Sequence, residues 1–321
     1  MSKVTSNWKS SIKADGNYRR KESQFRQWLS ADGSTGFKAE SGRYHLYVSL
    51  ACPWAHRTLV FRELKGLTAH ISVSVVHPDM HDKGWSFQHD DDSATEFSTT
   101  GDTLYGKDYM SEIYHKSDSK YQGNITVPVL WDKQKQVIVS NESADIIRMF
   151  NSEFNHITGN LLDFYPEHLQ QKIDEINDLV YHNINNGVYK TGFATTQQAY
   201  EENCRDLFRV LTTIDGILAN NRYLTGNELT EADWRLWTTL VRFDSVYHTH
   251  FKCNINLLRQ YQHLYYFMLE LYQMKGIAET LNHAHIKRHY YASHLSINPH
   301  GIVAIGHQQD WSEPHGRDRQ L

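Results

Sequence analysis

The chain has 321 residues, of which 40% are hydrophobic and 22% are charged, a composition typical of globular proteins and not of disordered or fibrous ones. Its 33 basic and 37 acidic residues give a net charge of −4, and no basic arm occurs, so we expect no nucleic acid partner. No apolar run reaches the roughly 18 residues of a membrane helix, and the start MSKVTSNWKSS lacks the apolar core of a signal peptide, so we expect neither membrane insertion nor export.

The first part of the chain predicts an α/β structure. Residues 1–40 form a polar amino-terminal extension with one amphipathic stretch at 25–29. The alternation of apolar and polar residues predicts a strand at 44–49, and the next periodic segments predict a helix at 54–64 and a strand at 71–76. A strand, a helix and a strand in such short succession form a βαβ unit, whose two strands are parallel.

The α/β pattern is then interrupted and resumes. Residues 79–118 are acidic and weakly periodic, which indicates an insertion or a loop that covers a site. Two β-branched runs at 125–132 and 136–139, separated by a short polar turn, predict a hairpin, and a helix follows at 144–150. We therefore predict one α/β domain over residues 41–155.

The second part of the chain has helical periodicity throughout. It predicts an all-helical domain over residues 166–306, followed by a polar, mobile tail over 307–321. Thr230 and Asp233 form a capping box that marks one helix start. The predicted helices cover 167–186, 197–219, 231–249, 256–274 and a short segment near 276–283.

Three cysteines, Cys52, Cys204 and Cys253, are too few and too irregularly spaced for a disulfide framework, which favours a reducing, cytoplasmic location. Cys204 and Cys253 lie inside helical patterns and are interpreted as buried, inert thiols. Cys52 lies between a strand end and a helix start, where amide groups without intrahelical partners and the helix dipole favour the thiolate. Ala55 takes the place of the second cysteine in a C-x-x-C pair, so a mechanism with one protein thiol needs an external thiol.

Two further motifs suit a peptide-like ligand. Val127-Pro128 inside a strand run predicts a cis bond that exposes the main chain of Val127 to strand addition, with a simple edge proline as the alternative. Glu142-Ser143 at a helix start offers amide groups and a hydroxyl to a carboxylate, and a carboxylate to an ammonium group. Helix capping alone is the alternative for this pair.

These motifs, taken together, resemble the glutathionyl-hydroquinone reductases, the xi class of the glutathione transferases. The resemblance covers roughly residues 25–306. It implies the glutathione transferase fold, with an α/β thioredoxin-like amino-terminal domain and an all-α carboxy-terminal domain, and it implies a homodimer. The stretches that carry it are CPWAHR at 52–57, TVPVLWD at 126–132, SNES at 140–143, NNGVYKTGFA at 185–194, HYYASH at 289–294 and INP at 297–299.

The resemblance also implies the site residues. Cys52 matches the catalytic cysteine, and Tyr189 and Tyr290 match the tyrosines that face the ring of the second substrate, with Tyr291 as a less favoured neighbour. The residues that match the glutathione site are Trp85 against the bound tripeptide, Val127 pairing with its backbone, and Glu142 and Ser143 as anchors of its γ-glutamyl end.

One position departs from the family pattern. In Tyr121-Gln122-Gly123-Asn124, Asn124 stands where the family usually has an arginine that contacts a glutathione carboxylate. Loss of that charge-assisted contact predicts glutathione binding weaker by about 1–3 kcal/mol. Lys107 or Lys120 could supply the charge instead.

The function implied is that of a reductase which removes glutathione from glutathionyl-hydroquinones through a Cys52–glutathione mixed disulfide. Glutathione is then the co-substrate, and hydroquinone and glutathione disulfide are the products. Two alternatives stay open: an omega-like thioltransferase or dehydroascorbate reductase that uses the same cysteine, and a non-catalytic binding module with the transferase fold. We expect neither a metal nor a nucleotide, since the histidine clusters lack zinc spacing and no glycine-rich nucleotide motif occurs.

Overall fold

The structure is a computed structural model that describes residues 11–87 and 99–317. The described chain forms two compact units, each assembled from separate segments. The first unit contains residues 22–162 and 280–293, apart from the undescribed stretch, and the second contains 11–21, 163–279 and 294–317. The predicted domains, 41–155 and 166–306, are continuous segments of the chain, and these ranges remain predictions.

The first unit is built on a sheet whose strands, within the described residues, lie in the order β2-β1-β5-β6. Strands β1 and β2 are parallel, as the βαβ pattern predicts, and the pairs β1–β5 and β5–β6 are antiparallel. Strand β5 begins at Val129 and not at residue 125, because Pro128 just before it has no N–H to donate to a strand partner. The four strands are β1 Tyr44–Val48, β2 Ser72–Val75, β5 Val129–Asp132 and β6 Val137–Ser140.

Two helices of this unit follow strands of the sheet. Helix α1, Pro53–Leu64, connects β1 to β2, and helix α3, Ser143–Ser152, follows β6 and packs against α1. Apolar side chains of both helices, such as Phe61 and Ile147, are fully buried. Gly66 just beyond α1 has φ +68°, the left-handed conformation that the predicted helix stop requires.

The amino-terminal extension covers one edge of this sheet. The amphipathic stretch at 25–29 is extended here: the Phe25 N–H donates to Asn141 Oδ1, the Asn141 N–H donates to the Phe25 carbonyl, and the Gln27 N–H donates to the Val139 carbonyl. These bonds use main-chain groups that the edge of the sheet would otherwise expose. The stretch at 25–29 is too short for its pattern of apolar and polar residues to predict that it pairs with the edge of the sheet.

The segment 79–118 contains more structure than its sequence pattern indicates. It holds a short hairpin of β3, Met80–His81, and β4, Gly84–Trp85, and helix α2, Met110–Ser117. Helix α2 begins where the Glu112 carboxylate accepts hydrogen bonds from the Asp108 and Tyr109 N–H groups. Its N-cap residue is Tyr109, which is not one of the usual Ser, Thr, Asp or Asn caps. Part of the predicted loop, residues 88–98, lies outside the described residues.

The second unit is helical. The helix before it, α4 Asn155–Thr158, still belongs to the first unit. The α-helices described in the second unit are α5 Gln170–Val180, α6 Gly187–Gly192, α7 Gln197–Asn220, α8 Glu231–Leu240, α9 His248–His250 and α10 Gln262–Gln273. The capping box predicted at the start of α8 is present, with Thr230 and Asp233. The predicted continuous helices at 167–186 and 231–249 are instead broken by π turns at Tyr181–Asn185 and Phe243–Tyr247.

The first of these π turns contains a buried asparagine. The Asn185 side-chain amide donates to the Arg235 carbonyl at 3.0 Å and to the Thr239 hydroxyl at 2.8 Å, both on α8. These bonds hold the turn against α8 at the point where α5 ends and α6 begins. Helix α11, His283–Ser293, belongs to the first unit. The sequence pattern does not distinguish it from the helices of the second unit that precede it in the chain.

The carboxy-terminal segment, predicted as a polar tail, makes contacts with the second unit. Residues of this segment up to 317 are packed on the second unit: the Trp311 ring lies 4.5 Å from that of Tyr272, and the Arg317 guanidinium donates to Glu270 at 2.7 Å. Arg317 is 2% exposed. The polar composition of this segment does not indicate these contacts, because their partners Tyr272 and Glu270 lie on α10, far away in the sequence. No helix in the described part of the chain has the length and apolar character to cross a membrane.

Candidate active site

Cys52 is the N-cap residue of α1, and Pro53 occupies the first helical turn, as predicted. The residue is partly exposed, with extended dihedrals of φ −75° and ψ 121°, and its carbonyl accepts the first helical hydrogen bond, from the His56 N–H at 3.0 Å. No acidic residue lies in the first turn of α1. The thiol therefore stands at the positive end of the helix dipole without a nearby helical carboxylate to oppose a thiolate.

The two other thiols lie in a different environment. Cys204 and Cys253 are buried, and burial raises the pKa of both thiols, that of Cys253 well above its usual value. A thiol that stays protonated is a poor nucleophile. The interpretation of these two cysteines as inert agrees with their burial, and Cys52 is the thiol with access to solvent.

The structure brings Cys52 next to Val127. The Cys52 Sγ lies 3.5 Å from the Val127 carbonyl oxygen, to which its S–H donates. The Val127–Pro128 bond is cis, which confirms the prediction from the sequence. Among the described residues the Val127 N–H has no hydrogen-bond partner, so a main-chain donor and an acceptor are both placed beside the thiol.

Glu142 and Ser143 lie at the junction between the end of β6 and the start of α3. Glu142 is the N-cap of α3, and its Oε1 accepts a hydrogen bond from the Ala144 N–H at 3.0 Å, so the capping role that was left open is real. Ser143 is buried, and its hydroxyl lies 3.5 Å from the same oxygen. The second carboxylate oxygen, Oε2, accepts from the Ser23 hydroxyl at 3.0 Å.

Ser23 was not found by sequence reasoning. It lies in the extension, and its hydroxyl also reaches the Asn141 carbonyl at 3.2 Å. Beside it, Arg26 forms a two-point ion pair with Asp145 in the first turn of α3, at 2.7 and 2.8 Å. The extension thus contacts the start of α3, and no local sequence signal could have identified this contact.

Asn124 is exposed, and its side chain makes no hydrogen bond to any other residue that the structure describes. Of the two lysines proposed as substitutes, Lys107 forms an ion pair with Glu112 at 3.4 Å, whereas Lys120 is exposed. The loop itself is held by the Tyr121 hydroxyl, which donates to the Asn124 carbonyl at 2.9 Å.

Trp85 and Tyr290 both contact one histidine of the first unit. The Trp85 indole stacks on the His289 ring, with centroids 4.7 Å apart and an interplanar angle of 24°, and the Tyr290 ring meets His289 edge-on at 5.4 Å. All three residues are buried, and so is Tyr291. His289 was part of a family-like motif, but the sequence did not indicate its contact with Trp85.

Tyr189 belongs to the second unit, on α6. Its ring packs against Tyr247 and Phe251 at centroid distances of 6.1 and 5.5 Å. The guanidinium of Arg20 lies over the same ring, 5.4 Å from its centroid, and donates through Nε to Asn186 one turn earlier on the helix. A cation held over a phenol ring in this way is stabilised by the ring quadrupole.

The histidine clusters of the sequence lack the spacing of a zinc site. Among residues 11–87 and 99–317, no group of three or more His, Cys, Asp or Glu side chains is placed to hold a metal ion.

Comparison with known proteins identifies the family. Residues 51–153 match the glutathione S-transferase N-terminal domain, and residues 197–265 match the C-terminal domain. The chain is 55% identical to the glutathionyl-hydroquinone reductase YqjG of Escherichia coli, over 97% of this chain and 95% of YqjG. It is 46% identical to the glutathionyl-hydroquinone reductase PcpF of Sphingobium chlorophenolicum, over 94% of this chain and 93% of PcpF.

Comparison with solved structures identifies the same family. The glutathione-bound structure of YqjG aligns with a TM-score of 0.90 and 54% identity, covering 96% of this chain and 99% of that one. The xi-class transferase of Natrialba magadii aligns with a TM-score of 0.88 and 48% identity, covering 95% of each chain. The chain therefore belongs to the glutathione transferases, and within them to the xi class, the family of the glutathionyl-hydroquinone reductases.

Proposed function

We propose that this protein is a glutathionyl-hydroquinone reductase, which removes glutathione from glutathionyl-hydroquinones and uses a second glutathione as the reductant. The observation that carries the proposal is the partly exposed Cys52 thiol at the start of α1, 3.5 Å from the Val127 carbonyl, in a chain 55% identical to YqjG. A cysteine at this position favours formation of a mixed disulfide over activation of a glutathione thiolate.

Glutathione binding follows from the groups around Cys52 and the start of α3. The Val127 N–H and carbonyl would pair with the cysteinyl part of the tripeptide, as in strand addition. The Ser143 hydroxyl and the first amides of α3 would hold the γ-glutamyl carboxylate, and Glu142 would hold its ammonium group. Trp85 would lie against the tripeptide, and Asn124 itself would contribute no positive charge.

The first chemical step breaks a carbon–sulfur bond. The Cys52 thiolate attacks the glutathione sulfur of the substrate, a Cys52–glutathione disulfide forms, and the electron pair of the broken bond passes to the ring carbon. That carbon takes up a proton, so the ring leaves as hydroquinone. Tyr189 and Tyr290 would hydrogen-bond the ring hydroxyls and supply the proton.

The second step regenerates the thiolate. A second glutathione, as its thiolate, attacks the mixed disulfide, releases Cys52 and leaves as glutathione disulfide. The proton that this glutathione loses balances the one taken up by the ring. Ala55 stands where a resolving cysteine would be, which is consistent with an external thiol in this step.

We also infer a cytoplasmic homodimer. Three cysteines that form no disulfide fit a reducing compartment, and the family resemblance implies the dimer. Sedimentation at concentrations from nanomolar to micromolar measures the oligomeric state, and a monomer throughout would contradict the inference.

The test of the proposed reaction is a single turnover without free glutathione. Incubation with a glutathionyl-hydroquinone should place one glutathione on Cys52, located by peptide mass spectrometry, and release one equivalent of hydroquinone. The Cys52→Ser variant should do neither, whereas Cys204→Ser should behave as the natural protein does. An adduct on Cys204 or Cys253, or hydroquinone release by Cys52→Ser, would contradict the proposal.

A further inference from the structure

The contact between Trp85 and His289 joins a short hairpin to helix α11. Trp85 is the second residue of β4, which pairs with β3 through only two residues on each strand. Hairpins of this size are not stable on their own, so the orientation of the indole depends on what the hairpin packs against. The described partner of the Trp85 ring at stacking distance is the imidazole of His289, at 4.7 Å.

The His289 ring is itself held in one orientation. Its Nδ1 lies 2.7 Å from the Pro78 carbonyl oxygen, and because a carbonyl can only accept, Nδ1 carries the hydrogen. The residue is 6% exposed, so its ring has little room to rotate. Burial and the hydrogen bond together set the plane on which the indole lies, and burial acts on any flat ring at this position.

Helix α11 also holds the chain that leads into the hairpin. Arg288 forms a two-point ion pair with Asp79, both bonds at 2.7 Å, and the Ser293 hydroxyl accepts from the Met80 N–H at 2.9 Å. Three consecutive residues, from Pro78 to Met80, are thus attached to one face of α11. The chain that leads into the hairpin is therefore bonded to the same helix that carries His289.

We propose that His289 is a positioning residue for glutathione: its imidazole holds the Trp85 indole flat in the orientation that contacts the tripeptide. This inference rests on the proposed function, in which Trp85 lies against glutathione. A side chain that is already ordered loses less conformational freedom when the ligand binds, so the stack would strengthen binding without itself touching glutathione.

The test is a double-mutant cycle on glutathione affinity, measured by calorimetry with the full chain. His289→Leu removes both the flat ring and the hydrogen bond, and it should weaken glutathione binding by about tenfold when Trp85 is present. In a Trp85→Leu background, the same change should have little further effect. His289→Phe keeps a flat ring, and it should stay within about threefold of the natural protein.

Two further measurements complete the test. Glutathione-dependent fluorescence quenching, taken as the difference between proteins with and without Trp85, should decrease in His289→Leu and be retained in His289→Phe. Circular dichroism melting identifies any variant that fails to fold, in which case His289→Phe alone still tests the stack.

The outcomes separate this inference from the proposed function. If the natural protein does not bind glutathione, the proposed function fails. If it binds but His289→Leu weakens binding equally in both backgrounds, the histidine acts on the fold and not through Trp85, and the inference is overturned. A loss in His289→Phe as large as that in His289→Leu would likewise overturn it.

Discussion

At the scale of single residues, the chemistry proposed for the ring depends on two phenols. Tyr189→Phe or Tyr290→Phe should each slow hydroquinone release by roughly 10²–10³-fold, the cost of removing one hydrogen-bond donor from a developing negative charge. Reduction of a simple glutathione mixed disulfide should be nearly unchanged, because its thiolate leaving group needs no ring proton. The double variant should lose less than the product of the single losses, since both groups act on one leaving ring. Stopped-flow measurement of the natural protein and the three variants with both substrates gives these rates.

Tyr291→Phe is the matched control for these variants. Tyr291 is the buried neighbour of Tyr290, and its substitution should leave hydroquinone release within a few-fold of the natural rate, roughly the scale of a neutral hydrogen bond. Equal losses on both substrates in the Tyr189 and Tyr290 variants would instead favour the omega-like thioltransferase.

A second residue-scale prediction concerns Asn124. Asn124→Arg should tighten glutathione binding by about 1–3 kcal/mol, because it restores a charge-assisted hydrogen bond to a glutathione carboxylate. Calorimetric titration measures the effect, and Asn124→Gln, which adds length without charge, should show no gain. Unchanged affinity in Asn124→Arg would mean that another cation, with Lys120 the exposed candidate, already makes the contact.

At the scale of elements, the pairing of β1 with β2 contains a buried histidine. His45 is fully buried between the hydroxyls of Ser72 at 2.7 Å and Ser74 at 2.9 Å, and burial lowers its pKa to about 4 from the ordinary 6.5. Between pH 6.5 and 4 the unfolded chain binds a proton that the folded protein does not. The stability contributed by neutral His45 is therefore present above pH 6.5 and is lost as the pH falls toward 4.

The expected loss between pH 7 and pH 5 is about 2 kcal/mol from this one group. Urea unfolding at the two pH values measures it. His45→Gln has no titrating imidazole, so its free energy of unfolding should change less over the same interval, whatever its absolute stability. The same pH dependence in both proteins would show that other groups cause the acid sensitivity.

At the scale of the whole molecule, the carboxy-terminal segment is a structural part of the second unit. Arg317 and Arg222 both bind the carboxylate of Glu270, which is 4% exposed. Arg317→Met should lower the free energy of unfolding by about 3 kcal/mol, because it removes one of the two guanidinium partners of a buried carboxylate.

Arg205→Met is the control for this change. Arg205 pairs with Glu201 one turn away on α7, but both side chains are exposed, so its loss should cost less than about 1 kcal/mol. Thermal or urea unfolding compares the two variants. An equal cost for both would mean that the segment after residue 306 contributes nothing specific.

The sequence by itself determined the features that depend on neighbours a few positions apart. Periodicity predicts β1, α1 and β2, and the capping pair Thr230 and Asp233 predicts the start of α8, because dihedral preference and capping act locally. The position of Cys52 follows from the same local pattern, since a strand end and a helix start meet there. Family-like motifs added the candidate residues around it.

Only the tertiary structure decided which distant segments of the chain contact one another. Ser23 reaches Glu142 from the extension, His289 reaches Trp85 from α11, and Arg317 reaches Glu270 from the end of the chain. Each contact joins residues far apart in a sequence whose local pattern is polar or irregular. Such pairings form because buried polar and aromatic groups must find partners, and which partner is within reach is settled by the folded chain and not by the spacing of residues along it.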